Sequence, residues 1–118
     1  MDSDFVVISS YTSAQAEEDG ILFDITKLSA VWKRGIFNYV TMNLLSSCGY
    51  MEKDKIKIPN LVDLLNQCNQ IVRKASNNFK NFDTFFSGTI ELPSGKQQEV
   101  FIEQNETGKF TILLPEDH

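Results

Sequence analysis

The sequence predicts an α+β fold, a two-layer domain in which a three-stranded antiparallel sheet at the C-terminal end packs against three or four helices. Three observations carry this prediction. An apolar stripe with steps of three and four residues runs from Leu61 to Phe82; beyond about residue 85 the apolar period falls to two; and no linker, repeat or low-complexity tract interrupts the 118 residues. The chain therefore reads as one domain over residues 1–118, helical over about 12–82 and sheet over about 85–115. With 42% hydrophobic and 23% charged residues its composition is that of an ordinary globular domain. A chain of this length buries roughly two thirds of its unfolded surface and needs no disulfide or metal to hold it.

The first helix is short. Thr12 and Gln15 have the spacing of a capping box, Ser13 to Asp19 follow as helix, and Gly20 stands where a left-handed residue ends a helix at no steric cost. Ile21, Leu22 and Phe23 form a buried run and a candidate fourth strand. Asp24 then caps a second helical segment, "ITKLSAVWKRG". A third is read in "IFNYVTMNLLSSCG", where Phe37, Val40, Leu44, Leu45 and Cys48 recur at helical spacing before Gly49. The clearest element begins at Pro59, a residue suited to a first helical turn, and runs on through "NLVDLLNQCNQIVRKASNNFKNF". Its stripe, Leu61, Leu64, Leu65, Cys68, Ile71, Val72, Ala75, Phe79 and Phe82, makes this the core helix.

In the last third Phe86, Gly88, Ile90 and Leu92 share one parity, "PSGK" turns the chain, and Val100 and Ile102 continue the inner face. "NETG" turns it again, and Phe110, Ile112 and Leu114 line a third strand that Pro115 stops.

Several chemistries are excluded. The only histidine, His118, lies at the mobile C-terminal end, so no nucleophile can be relayed through histidine and no histidine-bearing zinc site is formed in the folded body. Cys48 and Cys68 sit in apolar segments without metal-type spacing and read as small buried hydrophobes. There is no glycine-rich phosphate cradle. A net charge of −5 argues against direct nucleic-acid binding and permits a basic partner. No apolar run approaches the roughly 20 residues that span a bilayer, and "DFVVISS" is too short and too acidic for a signal peptide, so a cytoplasmic protein without membrane contact is expected. No cofactor is implied.

Two sets of residues are candidates for function. The acids Glu17, Glu18, Asp19 and Asp24 would surround Mg²⁺ or Ca²⁺ if the chain folded back at Gly20; read more simply, they punctuate a helix end and a helix start. Glu17, Glu18 and Asp19 lie at the end of the short helix that its dipole disfavours for acids. The second set follows from strand parity. Glu91, Glu99, Phe101, Glu103, Thr111 and Leu113 should point away from the helices, with Phe101 and Leu113 as an apolar spot among Glu99 and Glu103. That is the anatomy of a modest partner site for a basic, partly apolar surface, unless the N-terminal "FVVI" segment covers it. Glu116 and Asp117 read as a polar tail.

The segments "SYTSAQAEEDGILFDIT" and "GKFTILLPED" resemble the two hallmark segments of an uncharacterised family of small proteins carried by bacteria, archaea, phages, plasmids and integrative conjugative elements. Its Tyr-Thr-x-Ala-x-Ala-x-x-Asp-Gly pattern is matched by Tyr11, Thr12, Ala14, Ala16, Asp19 and Gly20, and its closing Leu-Pro-x-Asp by Leu114, Pro115 and Asp117. The resemblance spans about Ser10 to Asp117, with "NYVTMNLLSSC" and "NLVDLL" departing from the family's middle. It implies no established activity; carriage on mobile elements implies an accessory role such as countering a host defence system.

Two functions are thus expected in competition. One is a non-catalytic protein-binding accessory protein acting through Glu99, Phe101, Glu103 and Leu113, with a homodimer through exposed edge strands as its self-associating form. The other is a small metal-dependent hydrolase or nucleotide-binding protein built on Glu17, Asp19 and Asp24.

Overall fold

The computed structural model describes residues 12–78 and 84–118. Tyr11, the "FVVI" segment, and Phe79 and Phe82 of the helical stripe lie outside the described residues. The order of elements is α1 (Ser13–Glu18), β1 (Leu22–Asp24), two 3₁₀ turns (Ile25–Lys27 and Ala30–Arg34), β2 (Phe37–Thr41), α2 (Met42–Ser47), β3 (Met51–Glu52), β4 (Lys55–Ile56), α3 (Ile58–Asn78), β5 (Phe85–Glu91), β6 (Gln97–Gln104), β7 (Phe110–Leu113) and a closing 3₁₀ turn, Pro115–Asp117.

The fold is mixed α and β, as expected, but the sheet is larger and differently built. Five strands lie in the order β1-β2-β7-β6-β5, and β2 pairs parallel to β7 while every other pair is antiparallel. The C-terminal meander of β5, β6 and β7 matches the predicted strands, and the candidate fourth strand is β1, at the far edge. The strand missed is β2. Phe37 to Thr41, read as the start of a helix, is fully buried strand, and only Met42–Ser47 is helical. A register irregularity between Phe37 and Tyr39 lets Phe37 and Val40, three residues apart, both join the core, so a bulged strand mimics helical spacing. β-Branched and aromatic side chains in "FNYVT" favour the extended form, and Thr41 then caps α2 by accepting a hydrogen bond from the Leu44 N–H.

Local signals elsewhere hold. Thr12 and Gln15 form the reciprocal capping box of α1, and Gly20 ends it at φ +77°. Asp24 accepts from the Thr26 N–H, although the segment it caps is two 3₁₀ turns rather than the expected helix. A hairpin of β3 and β4, which no period announced, turns at Lys53 and Asp54, both at positive φ.

α3 is the core helix. Leu61, Leu64 and Cys68 are fully buried and pack with Val40, Ile90, Val100, Ile102 and Ile112 from the sheet. Ile71 crosses β5 at Gly88, where an added Cβ would lie 2.6 Å from Ile71 Cδ1 and 2.9 Å from its Cγ1. The strand carries glycine there because the helix leaves no room for a side chain. Gln67 clamps the same strand further on, accepting from the Glu91 N–H at 2.8 Å and donating to the Glu91 carbonyl at 2.9 Å. Of the two cysteines, Cys68 is buried, its thiol pushed up to about 12 by desolvation, and Cys48 is half-buried.

Tyr50 is also fully buried, and its hydroxyl has no hydrogen-bond partner among the described residues. Burial pushes its phenol far above the ordinary range, so the side chain is neutral at every ordinary pH. An orphaned hydroxyl costs more than its absence. Tyr50→Phe is therefore expected to raise the unfolding free energy by about 1 kcal/mol in urea titrations. Gly88→Ala should act in the opposite direction, because overlap with Ile71 outweighs the gain from a stiffer unfolded chain, with a loss of about 1–2 kcal/mol. Ile71→Val removes the nearest methyl and should make Gly88→Ala less costly than it is in the wild type, a coupling that a double-mutant cycle measures.

Candidate functional site

The sheet has one face on the core and one face turned away from it. The residues that share this outer face lie in register across all five strands, with Asp24 opposite Tyr39, Tyr39 opposite Thr111, Thr111 opposite Glu103 and Glu103 opposite Phe85. The two ends of this row are treated differently. At one end α1 packs against β1, with Ala16 buried, and Ser13 donates through both its N–H and its hydroxyl to the Glu106 carboxylate at 3.0 and 2.9 Å. Over β6 and β5 the face is open. Thr111 and Leu113, expected to point away from the helices beside Phe101, lie on that face and are buried at 8% and 5% exposure. Parity places them on the correct face; their burial is not legible from it.

The open half keeps Glu99 and Glu103 exposed on β6 and Phe101 half-buried between them. Phe85, on the neighbouring strand, is 39% exposed and meets the Phe101 ring edge-on at 5.0 Å. His118 closes this cluster at 5.4 Å from both rings, with Nε2 3.5 Å from Glu103 Oε2. The C-terminal end, expected to be mobile, is held. Asp117 accepts from the Thr41 hydroxyl at 2.8 Å and from the Asn43 carboxamide at 3.1 Å, and Glu116 also accepts from Asn43. The Leu-Pro-x-Asp ending thus ties the last 3₁₀ turn to the start of α2, and it delivers His118 to the aromatic pair.

β5 is an edge strand. Leu92 donates to the Lys96 carbonyl, and Gln104 donates to the Thr84 carbonyl, so even-numbered residues of the hairpin exchange bonds with β6. The N–H and C=O groups of Phe85, Ser87 and Thr89 therefore face outward, without partners among the described residues, while Gln67 satisfies those of Glu91. Three residues of open backbone ladder lie directly beside the Phe85 and Phe101 rings.

The acidic N-terminal set is arranged otherwise. The Glu17 carboxylate pairs with the Lys27 ammonium, and Asp24 is engaged by the N–H and hydroxyl of Thr26. The hydrogen bond that Lys27 donates to Glu17, with the charges of Glu17 and Asp24 behind it, raises the Lys27 pKa against the opposing effect of desolvation. The cation near Glu17 and Asp24 is therefore the protein's own lysine, which also offsets the acids gathered at the end of α1. Asp19 caps the helix end with its backbone N–H. Among the described residues no group of three or more His, Cys, Asp or Glu converges to hold a metal ion.

A concavity lies on the α3 side of the sheet, between the Ala30–Arg34 turn and α3, with a volume of about 610 Å³. Trp32, Phe37, Leu65 and Val72 form its apolar walls, and Asn66, Asn69 and Arg73 line it from the helix. Sequence reasoning did not find it. The signal was present in α3, where Asn66, Asn69, Arg73 and Ser76 recur at steps of three and four beside the apolar stripe, but the wall opposite comes from a turn remote in sequence.

Among the described residues no helix is long and apolar enough to cross a membrane. Comparison with protein-family models, with curated proteins and with solved structures finds no match for this chain.

The α1 clamp carries a pH dependence. Burial raises the Glu106 pKa, but its own backbone N–H and the Ser13 N–H and hydroxyl outweigh that effect and hold it below the ordinary 4.5. With the folded value depressed, the stabilisation is complete above 4.5 and is lost as pH falls through the lowered value. Glu106→Gln should flatten this acid limb in pH-dependent thermal melts while leaving the neutral-to-alkaline limb unchanged.

Proposed function

We propose that this chain is a non-catalytic protein-binding module, whose partner adds an extended, basic and partly apolar segment to the β5 edge and rests its side chains on Phe85 and Phe101 between Glu99 and Glu103. The observation that carries this reading is the coincidence of an unpaired backbone ladder with a partly exposed aromatic pair inside an acidic rim. Main-chain bonds along an edge supply affinity, and alternate side chains supply selection. The charge is of the kind that steers a basic partner and disfavours an acidic one. A second copy of this chain would set the same acidic rim on both sides of a two-fold seam, so a basic partner fits the edge better than self-pairing does. The resemblance to a family carried on mobile elements adds that the partner belongs to a host defence system, met in the cytoplasm.

Two variants separate the parts of the proposal. Ser87→Pro removes an outward N–H and obstructs strand addition without touching the bonds to β6. Phe101→Ala with Glu103→Lys removes the apolar spot and reverses the rim. In affinity capture from host cells read by mass spectrometry, a partner held by the wild type is expected to be lost from both variants, each verified as folded by circular dichroism. Retention of the same partner by both rules out this face.

A further inference from the structure

The cleft between the Ala30–Arg34 turn and α3 is independent of the β5 edge, and its chemistry is different. Apart from Arg73 its lining carries no charged side chain, so no carboxylate offsets the guanidinium. Arg73 is exposed and has neither ion pair nor side-chain hydrogen bond among the described residues, in a chain whose net charge is −5. Asn69 and Asn66, one turn and two turns back along the helix, likewise have no side-chain hydrogen bonds among the described residues. Opposite them the half-buried Trp32 offers a large aromatic surface, and Phe37, Leu65 and Val72 complete the apolar walls.

The turn that bears Trp32 is braced. Ser29 caps it by accepting from the Val31 N–H, the Gly35 N–H donates to the Trp32 carbonyl, and Lys109 donates to the Lys33 carbonyl from the turn that joins β6 to β7. Wall and helix are thus set before any ligand arrives, and a volume of about 610 Å³ lies within the range of roughly 300–1,000 Å³ usual for small-molecule sites.

We infer that this cleft binds a small planar apolar molecule bearing an oxyanion, the ring system lying against Trp32 and the oxyanion on the Arg73 guanidinium, with Asn69 and Asn66 as further donors. Arginine is suited to this because its planar fork matches both carboxylate and phosphate oxygens. An aromatic wall and an unpaired cation on opposite sides of one groove select for a ligand with both properties.

Trp32 is the chain's only tryptophan, so its indole N–H gives a unique resonance on uniformly ¹⁵N-labelled protein. That resonance is followed while 1-naphthoate, 1-naphthyl phosphate and the neutral 1-naphthalenemethanol are titrated separately, with calorimetry for affinity. At least one of the two anions is expected to shift the resonance saturably and to bind on the order of tenfold or more tighter than the alcohol, and the tighter anion identifies the ligand as a carboxylate or a phosphate. Arg73→Gln, an exposed substitution, should remove that advantage, and Arg73→Lys should restore part of it. The assignment is overturned if neither anion shifts Trp32, if the alcohol binds as tightly as the anions, or if Arg73→Gln, folded by circular dichroism, binds the anions unchanged.

Discussion

The pairing of β2 with β7 is the constraint on which the rest of the structure depends. It joins Phe37, Tyr39 and Val40 to Phe110, Thr111 and Ile112 in parallel, bringing two segments some 70 residues apart into one sheet. A parallel pair cannot be closed by a tight turn, so everything between them must cross over. Here the crossover contains α2, the β3–β4 hairpin, α3 and the β5–β6 hairpin. The entropy of closing so long a loop grows only slowly with its length, and the buried contacts of α3 on the sheet offset it. β2 and β7 are interior strands with side chains buried on both faces. α3 packs on the core face, and α1 packs against β1 at the sheet's edge.

This division of labour explains much of the polar architecture. α1 is only six residues long and could not persist alone. It is held by its capping box, by the bonds from Ser13 to Glu106, and by burial of Ala16. The closing turn is held by Asp117 on Thr41 and Asn43. The stretches from Thr12 to Gly20 and from Leu114 to Asp117 thus have structural work in common, since one caps and clamps α1 and the other locks the chain end to the top of β2. Function does not have to be invoked to account for them, and of the acids that resemble a metal site Glu17 is met by Lys27 and Asp24 by Thr26.

What is left open is correspondingly informative. α1 stops short of β5 and β6, leaving the Phe85 and Phe101 rings half-exposed with His118 against them and an edge ladder alongside. On the core side, α3 turns one row of residues toward the strands and another, with Asn66, Asn69 and Arg73, toward the Trp32 turn. The two surfaces differ in charge and shape. One is flat, edged by backbone and acidic; the other is concave, aromatic and cationic.

The sequence by itself determined the elements whose signals are local: the capping box at Thr12 and Gln15, the stop at Gly20, the long helix from its apolar stripe, and the three-strand meander from its period of two. Each depends on neighbours within a few residues, so composition and spacing carry it. Phe101, Glu99 and Glu103 were placed on the right face for the same reason. Only the tertiary structure decided that "FNYVT" is a strand, because its bulge reproduces helical spacing and its partner β7 lies far along the chain. The burial of Leu113, the seating of His118, and the placing of Trp32 and Arg73 on one cleft are likewise invisible in the residues, since each depends on segments whose proximity is set by the crossover rather than by any local pattern.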